Sequence, residues 1–290
     1  MISLNNDAKR TFFCECTRVN FMDGQTVSLE FVWPGAAPRG GQFFLIKPRR
    51  TGVFLARPIS AAGWKKKTDN TEAEIEEKTG ILRFLVVRRN TGSREITDLR
   101  PGEEAELTGP LGNFWPVAVN SGGDQERGTG KPIALVGGGI GIAPLLLFAR
   151  ELDSRNNFFI RNIPLSLQNP VQYDFYAGFR SNSYGLENMK PRSLIVSSED
   201  GSTGVKGRIP DFFTPSGYSQ VYVCGPEPML RVVGDACIAS GVPCFISVER
   251  HMACGVGACL GCTVKTTKGN RLCCADGPIF KAEEVCFDSK

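Results

Sequence analysis

The sequence predicts an α+β chain of three units: an antiparallel β-barrel, an α/β unit on a parallel sheet, and a small cysteine-rich unit at the end. Short apolar runs divided by Gly and Pro turns fill the first third of the chain, and strand-like and helix-like segments alternate in the middle. Five of the eleven cysteines lie within residues 251–278. We place the units at residues 1–120, 131–243 and 244–290, a division that suits a chain of 290 residues.

The composition is that of an ordinary globular protein, with 41% apolar and 22% charged residues. The net charge of +4, from 34 Lys and Arg against 30 Asp and Glu, is too small to indicate a nucleic-acid partner. The first residues show no secretory signal. We therefore expect a cytoplasmic protein whose cysteines are ligands, nucleophiles or core residues rather than disulfides.

The barrel is predicted from three apolar runs, "TVSLEFVWP" (26–34), "GQFFLIKP" (41–48) and "ILRFLVVRR" (81–89). The charged stretch 65–80 reads as a solvated hairpin excursion. Within "ARPISAAG", Arg57 offers a bidentate fork for a phosphate and Ser60 offers a hydroxyl. An Arg-Pro-x-Ser tetrapeptide is common by chance. Its position before "GGGIGIAP" and "VCGPEPM" is therefore stronger evidence for a binding site than its residues are.

The middle unit follows a polar linker at 121–131. Strands are predicted at "PIALVG", "VQYDFYAGF", "RSLIVSSED" and "QVYVCG", with helices at "APLLLFARELDS" and "EPMLRVVGDACIASG". Residues 132–149 form an uncharged run of 18, the length of a membrane span. Its four glycines and internal proline favour a strand, a turn and a helix instead.

Two strand-to-helix junctions are candidate ligand sites. In "GGGIGIAP", small residues let a phosphate approach the backbone at a helix N-terminus, although a turn with only a packing role remains the alternative. In "VCGPEPM", the junction lies at the carboxyl edge of the sheet, where ligands bind in open α/β folds; a buried Cys224 with no function is the alternative. The candidate residues are Gly137, Gly138, Gly139, Gly141, Pro144, Cys224, Gly225 and Pro226.

The cysteines at 254, 259 and 262 have C-x4-C-x2-C spacing, and Cys273 and Cys274 follow. Three thiolates from one loop and a fourth from a later segment can hold a [2Fe–2S] cluster. A structural zinc site is the alternative, but it usually uses two C-x2-C pairs and this region has one. His251 is the only histidine, which excludes a Rieske centre and disfavours a hydrolytic triad.

Together these motifs resemble the ferredoxin–NADP reductase superfamily, in which a flavin barrel precedes a nicotinamide domain. "ERHMACGVGACLGCTVK" followed by "CCADGPIF" is similar to the electron-transfer subunit of the NAD-dependent, heteromeric (class 1B) dihydroorotate dehydrogenases. The resemblance spans nearly the whole chain. It implies an FAD-binding barrel, an NAD-binding α/β domain and a C-terminal [2Fe–2S] domain.

The resemblance also implies site residues. "RPIS", "LVV" and Gly92-Ser93 match the flavin-binding positions, although the preceding "RRNT" departs from the usual glycine-containing sequence. "GPLGN" (109–113) matches the end of the barrel, and Cys-x-Asp-Gly-Pro selects Cys274 over Cys273 as the fourth ligand. The implied FAD residues are Arg57, Pro58, Ile59, Ser60, Leu85, Val86, Val87, Gly92 and Ser93, and the implied cluster ligands are Cys254, Cys259, Cys262 and Cys274.

The implied function is electron transfer between NAD(H), FAD, the cluster and the FMN of a separate catalytic subunit, which converts dihydroorotate to orotate in pyrimidine (UMP) biosynthesis. A flavin can link a two-electron and a one-electron carrier. The resemblance implies a heterotetramer with two copies of each subunit, and no membrane or nucleic-acid partner.

Two other functions stay open at this point. The chain could serve another complex, such as a sulfite reductase, a hydrogenase or a ferredoxin:NADP transhydrogenase, or it could be a zinc-stabilised binding module without enzymatic activity. The dinucleotide also stays open, because Arg180 could accept a 2′-phosphate or face solvent. The resemblance favours NAD.

Overall fold

The computed structural model describes residues 10–67, 79–116, 130–157 and 171–287. Most of the predicted hairpin excursion (68–78) and most of the predicted linker (121–129) lie outside the described residues. Among the helices of the described ranges, none combines the length and the apolar character needed to cross a membrane.

The first unit is a closed antiparallel barrel of six strands in the order β1-β2-β5-β4-β3-β6. A short helix, α1, joins β5 to β6. The elements are β1 (Arg10–Phe21), β2 (Thr26–Trp33), β3 (Phe43–Pro48), β4 (Arg57–Lys66), β5 (Gly80–Val87), α1 (Thr91–Thr97) and β6 (Glu104–Leu111). The apolar runs at 26–34, 41–48 and 81–89 therefore form strands, as predicted.

Successive side chains along each strand point alternately into the barrel and away from it. The strands therefore supply both the barrel core and the contacts on its outside. On β3, Phe44 and Ile46 point into the barrel core, while Phe43 and Leu45 pack against the rest of the molecule. Inside, Phe44 meets Trp33 and Phe84 edge to face, with ring centroids 5.0 and 5.5 Å apart. Each such buried ring contributes about 1.5–3 kcal/mol, so the barrel has a core of its own.

The second unit is built on a sheet whose parallel strands are β7 (Ile133–Gly138), β8 (Tyr173–Phe179), β9 (Ser193–Ser198), β10 (Val205–Lys206), β11 (Gln220–Cys224) and β12 (Cys244–Ser247). The helices α2 (Ile142–Asn157) and α3 (Glu227–Ala239) cover opposite faces, because alternate residues of β7 and β11 pack against each. The run 132–149 forms β7, a 3₁₀ turn and the start of α2, as predicted.

The last segment adds β13 (Thr263–Thr266), β14 (Gly269–Leu272) and β15 (Ile279–Lys281). The first two form a separate hairpin, whereas β15 pairs antiparallel with β12 and completes a seven-stranded sheet in the order β10-β9-β8-β7-β11-β12-β15. The sheet thus takes β12 and β15 from the predicted 244–290 unit. This shared sheet anchors both ends of the cysteine-rich segment to the α/β unit.

Candidate functional site

Arg57 and Gly92, two of the predicted flavin residues, lie against each other on the barrel surface. Arg57 begins β4, and its Nη1 donates to the carbonyl of Leu55 at 2.7 Å. A Cβ on Gly92 would lie 2.3 Å from the Arg57 Nε, so only glycine lets the guanidinium rest on the backbone at the start of α1. The guanidinium is therefore held beside α1.

The side chain of Ser93, in contrast, completes a capping box. Its hydroxyl accepts hydrogen bonds from the backbone N–H groups of Arg89 and Asn90 at 2.9 and 3.0 Å, and the Asn90 side chain accepts from the Ser93 N–H. This box fixes the turn into α1. It leaves the backbone of Gly92 facing the guanidinium of Arg57.

The other predicted flavin residues divide between two faces. Leu85 points out of the barrel toward the α/β unit, where an added Cβ on Gly185 would contact it at 3.3 Å, while Val86 points into the barrel core. Ser60 lies opposite Phe43 in the β3–β4 ladder and is half-buried. Pro58 and Ile59 lie on β4 between Arg57 and Ser60.

The two glycine-containing junctions of the α/β unit meet at the carboxyl edge of its sheet. A Cβ on Gly141 would lie 2.4 Å from the carbonyl oxygen of Cys224, and one on Gly138 would lie 3.0 Å from Pro226 Cδ. A Cβ on Gly225 would lie 3.1 Å from the Gly138 Cα. The structure therefore brings the two predicted nicotinamide motifs into one cradle.

Gly139 gives this cradle an open side, because it has φ +55° and nothing lies within 4 Å of an added Cβ. Gly137 and Pro144 have packing contacts instead: Gly137 abuts Ile142, and the Pro144 carbonyl accepts from Trp115 Nε1 at 3.3 Å. Of the four glycines in this motif, Gly139 alone faces open space.

Cys224 is 4% exposed in this cradle. Burial raises the pKa of its thiol, and the charge of Glu249 raises it further. A neutral thiol at this position is a small apolar wall rather than a nucleophile.

The loop that carries Cys254, Cys259 and Cys262 wraps around the thiol of Cys274. The Gly257 N–H donates to Cys274 Sγ at 3.2 Å, and the Cys274 N–H donates to Cys262 Sγ at 3.4 Å. The structure thus brings the predicted fourth ligand to the loop that carries the other three.

Backbone amides also point at the first thiol. The N–H groups of Val256 and Cys259 donate to Cys254 Sγ at 3.5 Å each, and these bonds lower the pKa of Cys254 to about 6. Thiolate is the form that binds iron, so amides aimed at the sulfur suit a metal centre.

The four cysteines are linked in two pairs by hydrogen bonds from backbone amides to sulfur. The Cys259 N–H donates to Cys254 Sγ, and the Cys274 N–H donates to Cys262 Sγ. Across the described ranges, no group of three or more His, Cys, Asp or Glu side chains is spaced to hold one metal ion. Three cysteines of one loop and a fourth from the following segment are the donor set of a [2Fe–2S] cluster.

Cys273 faces away from this arrangement. Its Sγ donates to the carbonyl of Val248 at 3.3 Å, and the side chain is fully buried. Burial raises the pKa of Cys273 to about 12. Its thiol therefore belongs to the core beneath the loop.

The cysteine loop rests on the barrel strand next to the flavin motif. A Cβ on Gly255 (φ +66°) would lie 2.7 Å from Leu45 Cδ1 and 3.1 Å from Leu111 Cδ1. Leu45 pairs with Pro58 across the β3–β4 ladder. Neighbouring strands lie about 4.8 Å apart, so one strand separates the loop from the "RPIS" motif.

Two exposed apolar side chains lie on the same loop as Cys259, the most exposed of the four predicted cluster ligands. Val256 and Leu260 are 47% and 64% exposed, and Leu260 has φ +58°, a strained backbone for a leucine. We name Val256 and Leu260 the loop-side patch.

Sequence reasoning missed two residues that connect these sites. Met229 packs between the two glycine junctions, since an added Cβ on Gly138 would lie 2.7 Å from its sulfur. Asn113 binds the backbone of the segment that follows Cys274. The place of Met229 in the helical pattern of its segment indicates only that it is buried. Nothing in "GPLGN" indicates that Asn113 bonds to Asp276, 163 residues away.

Comparison with solved structures defines the class. The chain matches the NADH-dependent reduced ferredoxin-NADP oxidoreductase with a TM-score of 0.73 and 24% identity, over 94% of this chain and 89% of that chain. It matches a ferredoxin NADP+ reductase from Neisseria gonorrhoeae with a TM-score of 0.54 and 15% identity, over 80% and 92%. The family model for the iron–sulfur cluster binding domain of dihydroorotate dehydrogenase B covers residues 249–286. The chain has a ferredoxin-reductase-like fold, and its C-terminal segment matches an iron–sulfur cluster binding domain.

Curated relatives narrow the class to one family. The chain is 37% identical to a protein from Clostridium acetobutylicum over 86% of this chain and 87% of that one, and 32% identical to one from Caldanaerobacter subterraneus over 91% and 93%. Both bear the name dihydroorotate dehydrogenase B (NAD(+)), electron transfer subunit. This chain belongs to the family of dihydroorotate dehydrogenase B electron transfer subunits. The resemblance drawn from the motifs and the predicted fold class are both confirmed.

Proposed function

We propose that this chain passes electrons between NAD(H) and the FMN of a separate dihydroorotate dehydrogenase catalytic subunit, through an FAD on the barrel and a [2Fe–2S] cluster in the cysteine loop. When bound, a flavin takes a hydride as an electron pair and exchanges electrons singly with the cluster. The chain's own residues bind these groups and set the distances between them. In the family's reaction, the partner oxidises dihydroorotate to orotate.

The contact between Gly255 and Leu45 is the observation that carries this proposal. It puts the cysteine loop against β3, whose neighbour β4 begins with Arg57 and holds Ser60. A flavin on β4 and a cluster in the loop are then separated by one strand. A zinc-stabilised binding module has no need of such an arrangement.

The proposed cluster ligands are Cys254, Cys259, Cys262 and Cys274. The hydrogen bonds from the Cys259 N–H to Cys254 Sγ and from the Cys274 N–H to Cys262 Sγ support this set, because they hold the four cysteines together. Amide donors to the sulfurs, such as the Gly257 N–H on Cys274, stabilise the negative charge of the thiolates and of the bound cluster.

The proposed flavin site uses the Arg57 guanidinium to bind the pyrophosphate, with the backbone at Gly92 alongside and Ser60 near the ring. The proposed nicotinamide site is the cradle around Gly139, with Gly225 and the buried Cys224 as its wall. The open space at Gly139 supports this assignment, because glycines at a helix start let a phosphate approach the backbone.

The loop-side patch is the proposed docking surface for the catalytic subunit. An electron leaves most readily where the cluster is nearest the surface, and Cys259 is exposed. Val256 and Leu260 put exposed apolar area on the same loop, which suits a protein partner. We further propose a heterotetramer with two copies of each subunit.

Cofactor content and NADH reduction test the proposal. We expect the purified protein to release one FAD per chain on acid extraction, and the flavin band to bleach on rapid mixing with NADH. Arg57→Ala removes a charge-assisted phosphate contact of about 1.5–3 kcal/mol and is expected to weaken FAD retention roughly 10- to 150-fold. Arg18→Ala, at an exposed arginine on β1, is the matched control.

Three results count against the proposal. Release of FMN, or of no flavin, contradicts the barrel assignment. Bleaching by neither NADH nor NADPH contradicts the nicotinamide site. A colourless protein that contains zinc supports the binding module instead.

A further inference from the structure

The last motif of the barrel is clamped onto the segment that follows Cys274. Asn113 Nδ2 donates to the carbonyls of Asp276 and Ile279 at 3.0 and 2.8 Å, and its Oδ1 accepts from the Ile279 N–H at 3.0 Å. The Asn113 backbone N–H donates to the carbonyl of Gly277 at 2.6 Å. One residue thus makes four hydrogen bonds to three residues of the cysteine-rich unit, Asp276, Gly277 and Ile279.

Gly112 lets the two segments come close enough for this clamp. It has φ +75°, and an added Cβ would lie 2.7 Å from Pro278 Cδ and 2.9 Å from the Gly277 carbonyl oxygen. Side chains other than glycine are excluded by both the conformation and the space. The motifs "GPLGN" and "CADGPI" therefore fit together backbone to backbone.

A tight turn connects the clamp to the thiol of Cys274. The Leu272 carbonyl accepts from the N–H groups of Ala275, Asp276 and Gly277 at 3.1, 2.7 and 3.2 Å. The Asp276 carboxylate accepts in return from the Leu272 N–H at 2.7 Å. Because this turn is held at both ends, a shift of Asp276 relative to the barrel carries Cys274 with it.

The other side of the clamp leads to the flavin motif. Asn113 lies two residues after Leu111, the last residue of β6, and Leu111 pairs with Phe43 of β3. Phe43 pairs in turn with Ser60 of β4. The path from Ser60 to Cys274 therefore runs through strand ladders and the hydrogen bonds of Asn113.

We propose that Asn113 is a positioning residue, which fixes the separation between the flavin on β4 and the cluster at Cys274 and so sets the rate of electron transfer between them. The inference rests on the proposed function. Asn113 contacts no reacting atom and acts through the backbone at 276–279. Small misplacements matter in such a relay, because the rate of electron transfer falls steeply as the distance between donor and acceptor grows.

Asn113→Asp tests this proposal with an isosteric change. It puts a carboxylate oxygen in place of the amide nitrogen, opposite the carbonyls of Asp276 and Ile279, so both donated bonds become repulsions. We expect NADH to reduce the flavin at the wild-type rate, and reduction of the cluster, followed by freeze-quench EPR, to be severalfold slower. The control is Asn20→Asp, the same change at an exposed position on the part of β1 that pairs with β2.

The outcomes separate this inference from the proposed function. Slower cluster reduction with normal flavin reduction in Asn113→Asp supports the positioning role. Normal rates for both steps, or equal slowing of both, overturn it. If Asn113→Asp does not retain its cluster, Asn113→Ser, which introduces no charge, decides by the same two rates. A wild-type protein without flavin or cluster instead refutes the proposed function.

Discussion

At the scale of single residues, two adjacent cysteines have different surroundings. The Cys273 thiol donates to the Val248 carbonyl inside the core, while the Cys274 thiol accepts from the Gly257 N–H in the cysteine loop. Their neighbourhoods differ because the turn at 272–277 points successive side chains to opposite sides of the chain. Only the second thiol has an amide donor of the kind that stabilises a metal-bound sulfur.

Exchanging each of these cysteines for serine makes the difference measurable. We expect Cys274→Ser to lose or strongly perturb the EPR signal of the reduced cluster, because the proposed fourth iron ligand is replaced. Cys273→Ser is expected to leave the signal nearly intact. Flavin reduction by NADH is expected to survive in both variants, because the barrel and the Gly139 cradle are untouched.

The reverse pattern places the fourth ligand at Cys273. If neither substitution changes the signal, the iron–sulfur assignment is wrong. Together the two variants therefore test both the ligand position and the type of metal centre.

The sequence predicts the cysteine loop of the site but not the contacts that hold it against the barrel. The C-x4-C-x2-C spacing places three cysteines on one loop, which is local information. The clamp at Asn113 depends on Ile279, 166 residues away, and nothing in the pattern around either residue indicates the other. Contacts of that kind follow from how the units pack.

At the scale of elements, glycines decide how closely the cysteine loop approaches the barrel. Gly255 combines a positive φ with an added Cβ position 2.7 Å from Leu45 Cδ1, so the loop rests directly on β3. On the hairpin turn, Gly269 has φ +91° but nothing within 4 Å. Both glycines have a positive φ, but only at Gly255 would an added Cβ meet a neighbouring side chain.

Gly255→Ala is expected to weaken the cluster, and Gly269→Ala is its matched control. Each substitution costs about 1–2 kcal/mol for the left-handed backbone, which a thermal unfolding curve would show as a similar loss. Only Gly255→Ala also pushes the loop off β3. We expect it alone to lower the iron content per chain and to speed cluster loss to a chelator.

Equal iron content and equal chelation rates in the two variants would falsify the idea that contact with β3 holds the loop. The comparison depends on both variants folding. The thermal unfolding curves establish this independently of the iron measurement.

Element prediction succeeds where structure is local. The run at 132–149 forms β7, a turn and α2 because its apolar residues and glycines encode that order. No local pattern in the sequence indicates that β12 and β15 join the large sheet. These strands have four and three residues, and their pairing with β11 and with each other brings together distant parts of the chain.

At the scale of the whole molecule, the cysteine-rich unit is held between the other two. β12 and β15 join it to the α/β sheet, and Asn113 and Gly255 fix it to the barrel. This arrangement leaves the outer edge of the loop, around Cys259, facing solvent. Internal distances are therefore fixed within the chain, and the remaining open step is the transfer to a partner.

Leu260 provides a test of that last step, because its backbone disfavours its side chain. Its φ of +58° costs a leucine about 1–2 kcal/mol, whereas asparagine adopts this conformation readily. The leucine is 64% exposed, so its side chain adds little to the folded chain alone. A strained, exposed apolar residue beside the exposed thiol is consistent with selection for binding a partner.

Leu260→Asn is therefore expected to separate stability from partner binding. We expect an unfolding temperature equal to or above that of the wild type, and unchanged reduction of flavin and cluster by NADH. Affinity for the catalytic subunit, measured by titration calorimetry, is expected to fall about tenfold or more, since loss of an apolar anchor costs about 1.4 kcal/mol or more. The control is Val232→Asn on the outer face of α3, where a valine is 54% exposed and asparagine has a similar helix propensity. Wild-type affinity in Leu260→Asn, or an equal loss in Val232→Asn, would show that the partner does not dock on the loop-side patch.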